Sequence, residues 1–192
     1  MLLIELYDHI KRKTYTLDLE KWLAGFNDDT IYFYSWREKI LNAYEKILYK
    51  PTETDGCFQY PYVSNGELFY IHFNIGNIKK NCVLSEDTIY SIPLKNFGAS
   101  FKNRDFIYYP TKSFTFEHVS SSFPIVCCDI PSFYVNRQLV IDGNHRITAK
   151  KFFHKKNVNV CFYEIEDEKD FSNLLEYTIY HFLLQNNIRN SK

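Results

Sequence analysis

The sequence predicts an α+β fold: a small mixed sheet with helices, extended at its N-terminal side by helices and a hairpin. Three observations lead there. Apolar residues recur at helical spacing near both ends of the chain, an Asn-Gly turn separates two alternating segments, and short β-branched runs fill the region from about residue 82 to residue 163. At 192 residues the chain suffices for one well-buried domain with an appended lobe. We divide it into residues 1–80, the helical and hairpin extension, and residues 81–192, the sheet with its C-terminal helix.

The elements follow in order. Leu17 to Ala24 reads as a short helix that breaks near Gly25. Ser35-Trp36-Arg37-Glu38 has the spacing of a capping box, and Trp36, Ile40, Ala43, Tyr44, Ile47 and Leu48 continue at helical intervals until Pro51 stops them. Phe58 to Val63 and Leu68 to Ile75 flank Ser64-Asn65-Gly66 as the arms of a hairpin. In the second arm Phe69, Ile71, Phe73 and Ile75 point one way, which puts His72 on the opposite, solvated face. Strands are expected at Cys82 to Leu84, Thr88 to Pro93, Phe106 to Tyr109, Ile125 to Cys128, Gln138 to Ile141 and Val158 to Tyr163, with helices at Arg146 to His154 and Asp167 to Asn186. Phe171, Leu174, Leu175, Ile179, Phe182 and Leu183 form one apolar stripe on the last helix, suited to packing on the domain's own sheet; a homodimer through that helix is the alternative.

Composition excludes several classes. Lysine and arginine total 23 and aspartate and glutamate total 23, so the formal charge is zero and no surface-wide polyanion site is expected. The 18% aromatic content is expected to fill the core. No stretch reaches the roughly 18 apolar residues of a membrane span. Met1 to Leu6 are apolar but run into Lys11-Arg12-Lys13, the reverse of a secretory leader, so no membrane partner and a cytoplasmic location are expected. None of the five cysteines forms a C-x-x-C pair, and adjacent Cys127 and Cys128 would face opposite sides of a strand; all are read as buried thiols. Ser/His/Asp order, H-E-x-x-H and a Walker loop are not found.

Residues 138–163 carry the chemistry. Gln138-Leu139-Val140-Ile141 reads as a buried strand, Asp142-Gly143-Asn144 as a tight turn, His145 to His154 as a helix with Ala149, Phe152 and Phe153 on one face, and Val158 to Phe162 as a second strand. A strand-to-helix turn presents free N–H groups and the positive end of the helix dipole, which together favour an anion. Gly143 allows close backbone approach to a ligand. Arg146 can offer a bidentate fork to phosphate, and His145 a hydrogen bond or a mobile proton. Asp142 can accept a substrate hydroxyl or hold Mg²⁺ beside phosphate oxygens, and Asn144 supplies a neutral donor and acceptor. The bland alternative is an ordinary turn in which Asp142 caps the helix.

Val140-Ile141-Asp142-Gly143-Asn144-His145-Arg146-Ile147-Thr148-Ala149-Lys150 resembles the signature of the ParB/sulfiredoxin-like superfamily, whose members carry a D-G-[NH]-H-R or G-x-x-R turn between a strand and a helix. Pro124-Ile125-Val126 before the turn, Val158-Asn159-Val160 after it and Thr88 to Leu94 as a first strand extend the resemblance over roughly residues 85 to 165. It implies nucleotide-phosphate binding, with Gly143 and Arg146 as the grip and Asp142 and His145 as in the kinase-like branch. Sulfiredoxins place a catalytic cysteine where Asn144 stands, so thiol chemistry is not implied. The kinase-like branch needs an acidic base, for which Glu86, Asp87 and Glu117 are candidates.

Three functions are therefore expected to compete. The first is an enzyme that binds ATP, ADP or CTP, with Mg²⁺ alongside, and hydrolyses or transfers a phosphoryl group: Asp142, His145 and Arg146 would be catalytic, and Gly143, Asn144, His145 and Arg146 would bind phosphate. The second is a DNA-binding or nuclease protein of a plasmid, phage or defence system, with Lys150, Lys151, Lys155 and Lys156 on nucleic acid. The third is a non-catalytic regulatory module that contacts a partner.

Overall fold

A computed structural model of the chain describes residues 18–26, 31–48, 56–83, 89–99, 105–129 and 138–190. Helix α1 (Leu19–Ala24) starts at Asp18, whose carboxylate accepts from the Lys21 N–H (3.1 Å). Helix α2 spans Ile31–Leu48. The Ser35 capping box is not a helix start, because Ile31 to Tyr34 are already helical. Phe33 is buried and packs against Phe26 and Phe182, so tertiary packing outweighs the local cap signal. The expected stop at Pro51 and the side chains of Ile47 and Leu48 lie outside the described residues.

Strands β1 (Cys57–Ser64) and β2 (Glu67–Asn74) form the expected hairpin, paired antiparallel from Cys57↔Asn74 to Ser64↔Glu67. Both loop residues have positive φ, Asn65 at 50° and Gly66 at 75°, the backbone of a type I′ turn. Ile75 does not extend the hairpin. Asn74 Oδ1 accepts from the Asn77 N–H (3.2 Å), and a helix, α3 (Ile75–Val83), begins there. The strand expected at Cys82 is thus helical at Cys82, while Leu84 lies outside the described residues.

The second sheet has six strands: β3 (Ile89–Pro93), β4 (Phe97–Gly98), β5 (Phe106–Ile107), β6 (Ile125–Asp129), β7 (Gln138–Asp142) and β8 (Asn157–Phe162). Their order is β3-β8-β6-β7-β5-β4. β8 is antiparallel to β3 and parallel to β6; β7 is antiparallel to β6 and parallel to β5. A short helix, α4 (Phe116–Ser120), precedes β6, and α5 (Asn144–Phe152) joins β7 to β8. The chain ends its described part in α6 (Leu174–Asn190), after a 3₁₀ turn at Glu168–Asp170. This mixed sheet, hairpin and helices make an α+β fold.

Strand alternation divides the core in two. Leu139, Ile141, Val126, Cys128 and Cys161 face one side, where they join Trp22, Ile71, Phe73 and the α6 residues Leu175, Ile179 and Phe182. Val140, Ile125, Cys127, Val158 and Val160 face the other side and pack with Ile147 of α5. The adjacent cysteines therefore occupy opposite faces; none of the five is in a disulfide, and four are buried as expected while Cys57 is only partly buried. The last helix begins at Leu174 rather than at Asp167. Of the expected stripe, Phe171, which precedes the helix, and Leu175, Ile179, Phe182 and Leu183 are buried while Leu174 is partly so, and α6 packs on α2 and β2.

His72 is a correction. It is 4% exposed, and Glu176 of α6 takes both its backbone N–H (2.6 Å) and its Nδ1 (2.9 Å). A helix brought in by a distant segment covers the face that local alternation leaves to water. Phe152 and Phe153 are the opposite case: read as the buried face of the helix with Ala149, both are exposed.

Candidate functional site

The site begins at the last residue of β7. Gly143 follows with φ 105° and ψ 12° and serves as N-cap of α5 without any side-chain cap, so Asp142 does not cap the helix. A Cβ at Gly143 would overlap Ile125 Cδ1 and lie 3.1 Å from Arg146 Nη2. The glycine is required both by its left-handed conformation and by the close approach of β6. The first helical bond runs from the Ile147 N–H to the Gly143 carbonyl (2.9 Å). The N–H groups of Asn144, His145 and Arg146 precede it and have no partner within the helix.

A cleft of about 330 Å³ lies at this helix start, lined by Lys79, His118, Ser121, Phe123, Asp142, Gly143, His145 and Arg146. Arg146 is not a free fork. It is 7% exposed, and its Nη1 donates to the carbonyls of Phe123 (2.7 Å) and Pro124 (3.0 Å) while Nη2 donates to Asp142 Oδ2 (2.6 Å). Burial lowers the guanidinium pKa and Asp142 opposes that shift. The same Asp142 oxygen also pairs with Lys79 Nζ (3.1 Å). Phe123 lies near both cations, 5.2 Å from Arg146 and 5.7 Å from Lys79. Arg146 thus fixes the segment before β6 to the turn, and Asp142 is neutralised by two cations.

Asn144 is also committed to the scaffold: its Oδ1 accepts from the Tyr109 N–H (2.7 Å) and its Nδ2 donates to the Val140 carbonyl (3.3 Å). His145 is exposed, and its ring stacks on His118 of α4 at 5.3 Å and 21°. The Thr115 N–H donates to His118 Nδ1 (2.9 Å), which places the proton of the neutral ring on Nε2. The cleft therefore gathers two imidazoles and Lys79 at the N-terminal end of α5.

The four lysines after the turn separate. Lys150 Nζ donates to the carbonyls of Val119 (3.0 Å) and Ser121 (3.1 Å), and burial first, then Arg146 and Lys155, pull its pKa down. Lys151 Nζ donates to the Phe97 carbonyl (2.5 Å) and lies 5.2 Å from the Tyr108 ring. Only Lys155 and Lys156 of the four are exposed. Lys150 and Lys151 hold α4 and β4 against α5.

Glu117 is exposed on α4 and is not among the residues lining the cleft; Glu86 and Asp87 lie outside the described residues. Asp142 is the carboxylate of the cleft, and among the described residues no three His, Cys, Asp or Glu side chains gather as a metal site. Sequence reasoning missed Lys79, His118, Ser121 and Phe123. The Thr115-x-x-His118 spacing is a local signal for His118, whereas Lys79 belongs to a helix that was not expected. Comparison with family models, curated proteins and solved structures gives no match to this chain.

Proposed function

We propose that the cleft at the N-terminus of α5 binds a phosphate group of a nucleotide. The observation that carries this reading is the cleft at the start of α5, where Gly143, His145 and Arg146 line it together with Lys79 and His118. The start of the helix supplies fixed positive potential, Lys79 and Arg146 together with Asp142 leave one net positive charge, and the two imidazoles supply hydrogen-bond donors. Arg146 acts as a positioning residue, since its guanidinium is held by Asp142 and two carbonyls. The resemblance of Asp142 to Arg146 to the ParB/sulfiredoxin-like turn supports a nucleotide as the source of the phosphate.

The reading extends to hydrolysis or transfer of a phosphoryl group, in which preorganised charge is the main contribution. Mg²⁺ would arrive with the nucleotide's phosphates, and because Arg146 and Lys79 already hold Asp142 Oδ2, it would meet only the other oxygen of that carboxylate. Calorimetric titration with ATP, ADP and CTP, with Mg²⁺ present, tests the proposal. Binding of at least one, lost in Lys79→Met, is the expected result; no binding by any of the three overturns it.

A further inference from the structure

Among the described residues most aromatic side chains lie in or against the two cores, but one group does not. Phe116 is 75% exposed, Phe152 66% and Phe153 45%, and with half-buried Phe114 they form a contiguous cluster. Ring centroids are 5.4 Å apart for Phe114 and Phe152, 5.2 Å for Phe152 and Phe153, and 6.5 Å for Phe116 and Phe153. Phenylalanine has no polar atom to hold such a surface in water, and contiguous exposed apolar patches mark binding surfaces.

The rim of the patch is basic. Lys112 lies two residues before Phe114, and Lys155 and Lys156 follow Phe153 closely; all three are exposed. The Lys156 carbonyl accepts from the Leu94 N–H (2.9 Å), and exposed Lys95 follows Leu94. Glu117 is the acidic residue within this stretch of α4.

The patch and the phosphate cleft share the face built by α4 and α5. Phe116 meets Phe153 at one end, while His118 stacks on His145 at the other. Residues 145 and 153 are separated by about 12 Å along the helix axis. We infer that this face binds single-stranded nucleic acid, with bases against Phe114, Phe116, Phe152 and Phe153, backbone phosphates on the lysine rim, and one phosphate at the helix N-terminus. The inference rests on the cleft reading for that last contact and names the polymer to which the phosphate belongs. Unstacked bases supply flat apolar surfaces at intervals along a polyanion, which is what rings beside cations complement; sequence-tolerant single-strand binders combine the same two features. A phospholipid surface also presents phosphates beside apolar chains, so vesicles form a separate arm of the test.

The test uses the full chain and fluorescently labelled single-stranded RNA and DNA of about twelve nucleotides, within the usual site sizes. Anisotropy at low salt is expected to show binding at least tenfold tighter than the mononucleotide measured by calorimetry, and weakening steeply with salt. Phe116→Ser and Phe152→Ser change exposed side chains and should leave the circular dichroism intact. Each should weaken oligonucleotide binding about tenfold with mononucleotide affinity unchanged. Oligonucleotide bound no tighter than mononucleotide, or unaffected by either substitution, overturns the inference and leaves the cleft reading standing. Phenylalanine-dependent binding to phosphatidylserine vesicles, or a phenylalanine-dependent dimer in sedimentation, without oligonucleotide binding also overturns it. Oligonucleotide binding that needs the phenylalanines but is insensitive to Lys79→Met overturns the cleft as the phosphate anchor and retains the patch as the binding surface.

Discussion

Replacing Arg146 with lysine distinguishes a positioning role from a direct grip on ligand. The guanidinium makes three charge-assisted bonds, two from Nη1 to the carbonyls of Phe123 and Pro124 and one from Nη2 to Asp142. A lysine ammonium is a single point donor that cannot span both carbonyls and the carboxylate. Asp142 keeps Lys79 as a partner, so its charge stays compensated. The expected loss is therefore two bonds at about 1.5 kcal/mol each, or about 3 kcal/mol. For a chain of this size that is a fall of roughly 6–12 °C in Tm. Urea denaturation of wild type and Arg146→Lys measures the loss, and calorimetry on the folded variant measures nucleotide binding. Stability within about 1 kcal/mol of wild type, with binding abolished, would refute the positioning role and return the fork to the ligand.

Three other perturbations follow from the same structure. Gly143→Ala should cost about 2–5 kcal/mol in denaturant titrations, combining the left-handed backbone with the overlap on Ile125. Glu176→Ala should cost about 2–4 kcal/mol, because it leaves the His72 N–H and ring buried without their hydrogen-bond partner. Burial, partly opposed by Glu166, lowers the His181 pKa below 6.5, so the unfolded chain binds that proton first; stability from this group is full above pH 6.5 and falls as pH drops below it. His181→Phe should flatten that acid-side slope in pH-dependent thermal melts, and an unchanged slope would count against the assignment.

What could be read from the sequence was local. The hairpin was legible because Asn65-Gly66 admits the positive φ values of a two-residue turn. The path from β7 through Gly143 and α5 to β8 was legible because the hydrophobic period changes on either side of a run of turn residues. Residues 75–83 were not, because the apolar alternation of β2 runs into Ile75 and the Asn74 cap is a weak signal beside it. The environment of His72 depends on a helix about a hundred residues away. Arg146 looked like a ligand fork for a similar reason: its carbonyl partners at Phe123 and Pro124 are 22 and more residues distant, and nothing in the motif announces them. His118 entered the site in the same way, through packing of α4 on α5.

The phosphate site is tested most directly by following backbone amide resonances in ¹⁵N-labelled protein during titration with a nucleotide, with inorganic phosphate in parallel. Saturable shifts concentrated at Asn144, His145 and Arg146, smaller at Lys79 and His118, and reduced in Lys79→Met are predicted. No saturable shift at those amides, or shifts confined to another part of the molecule, would contradict phosphate binding at the start of α5.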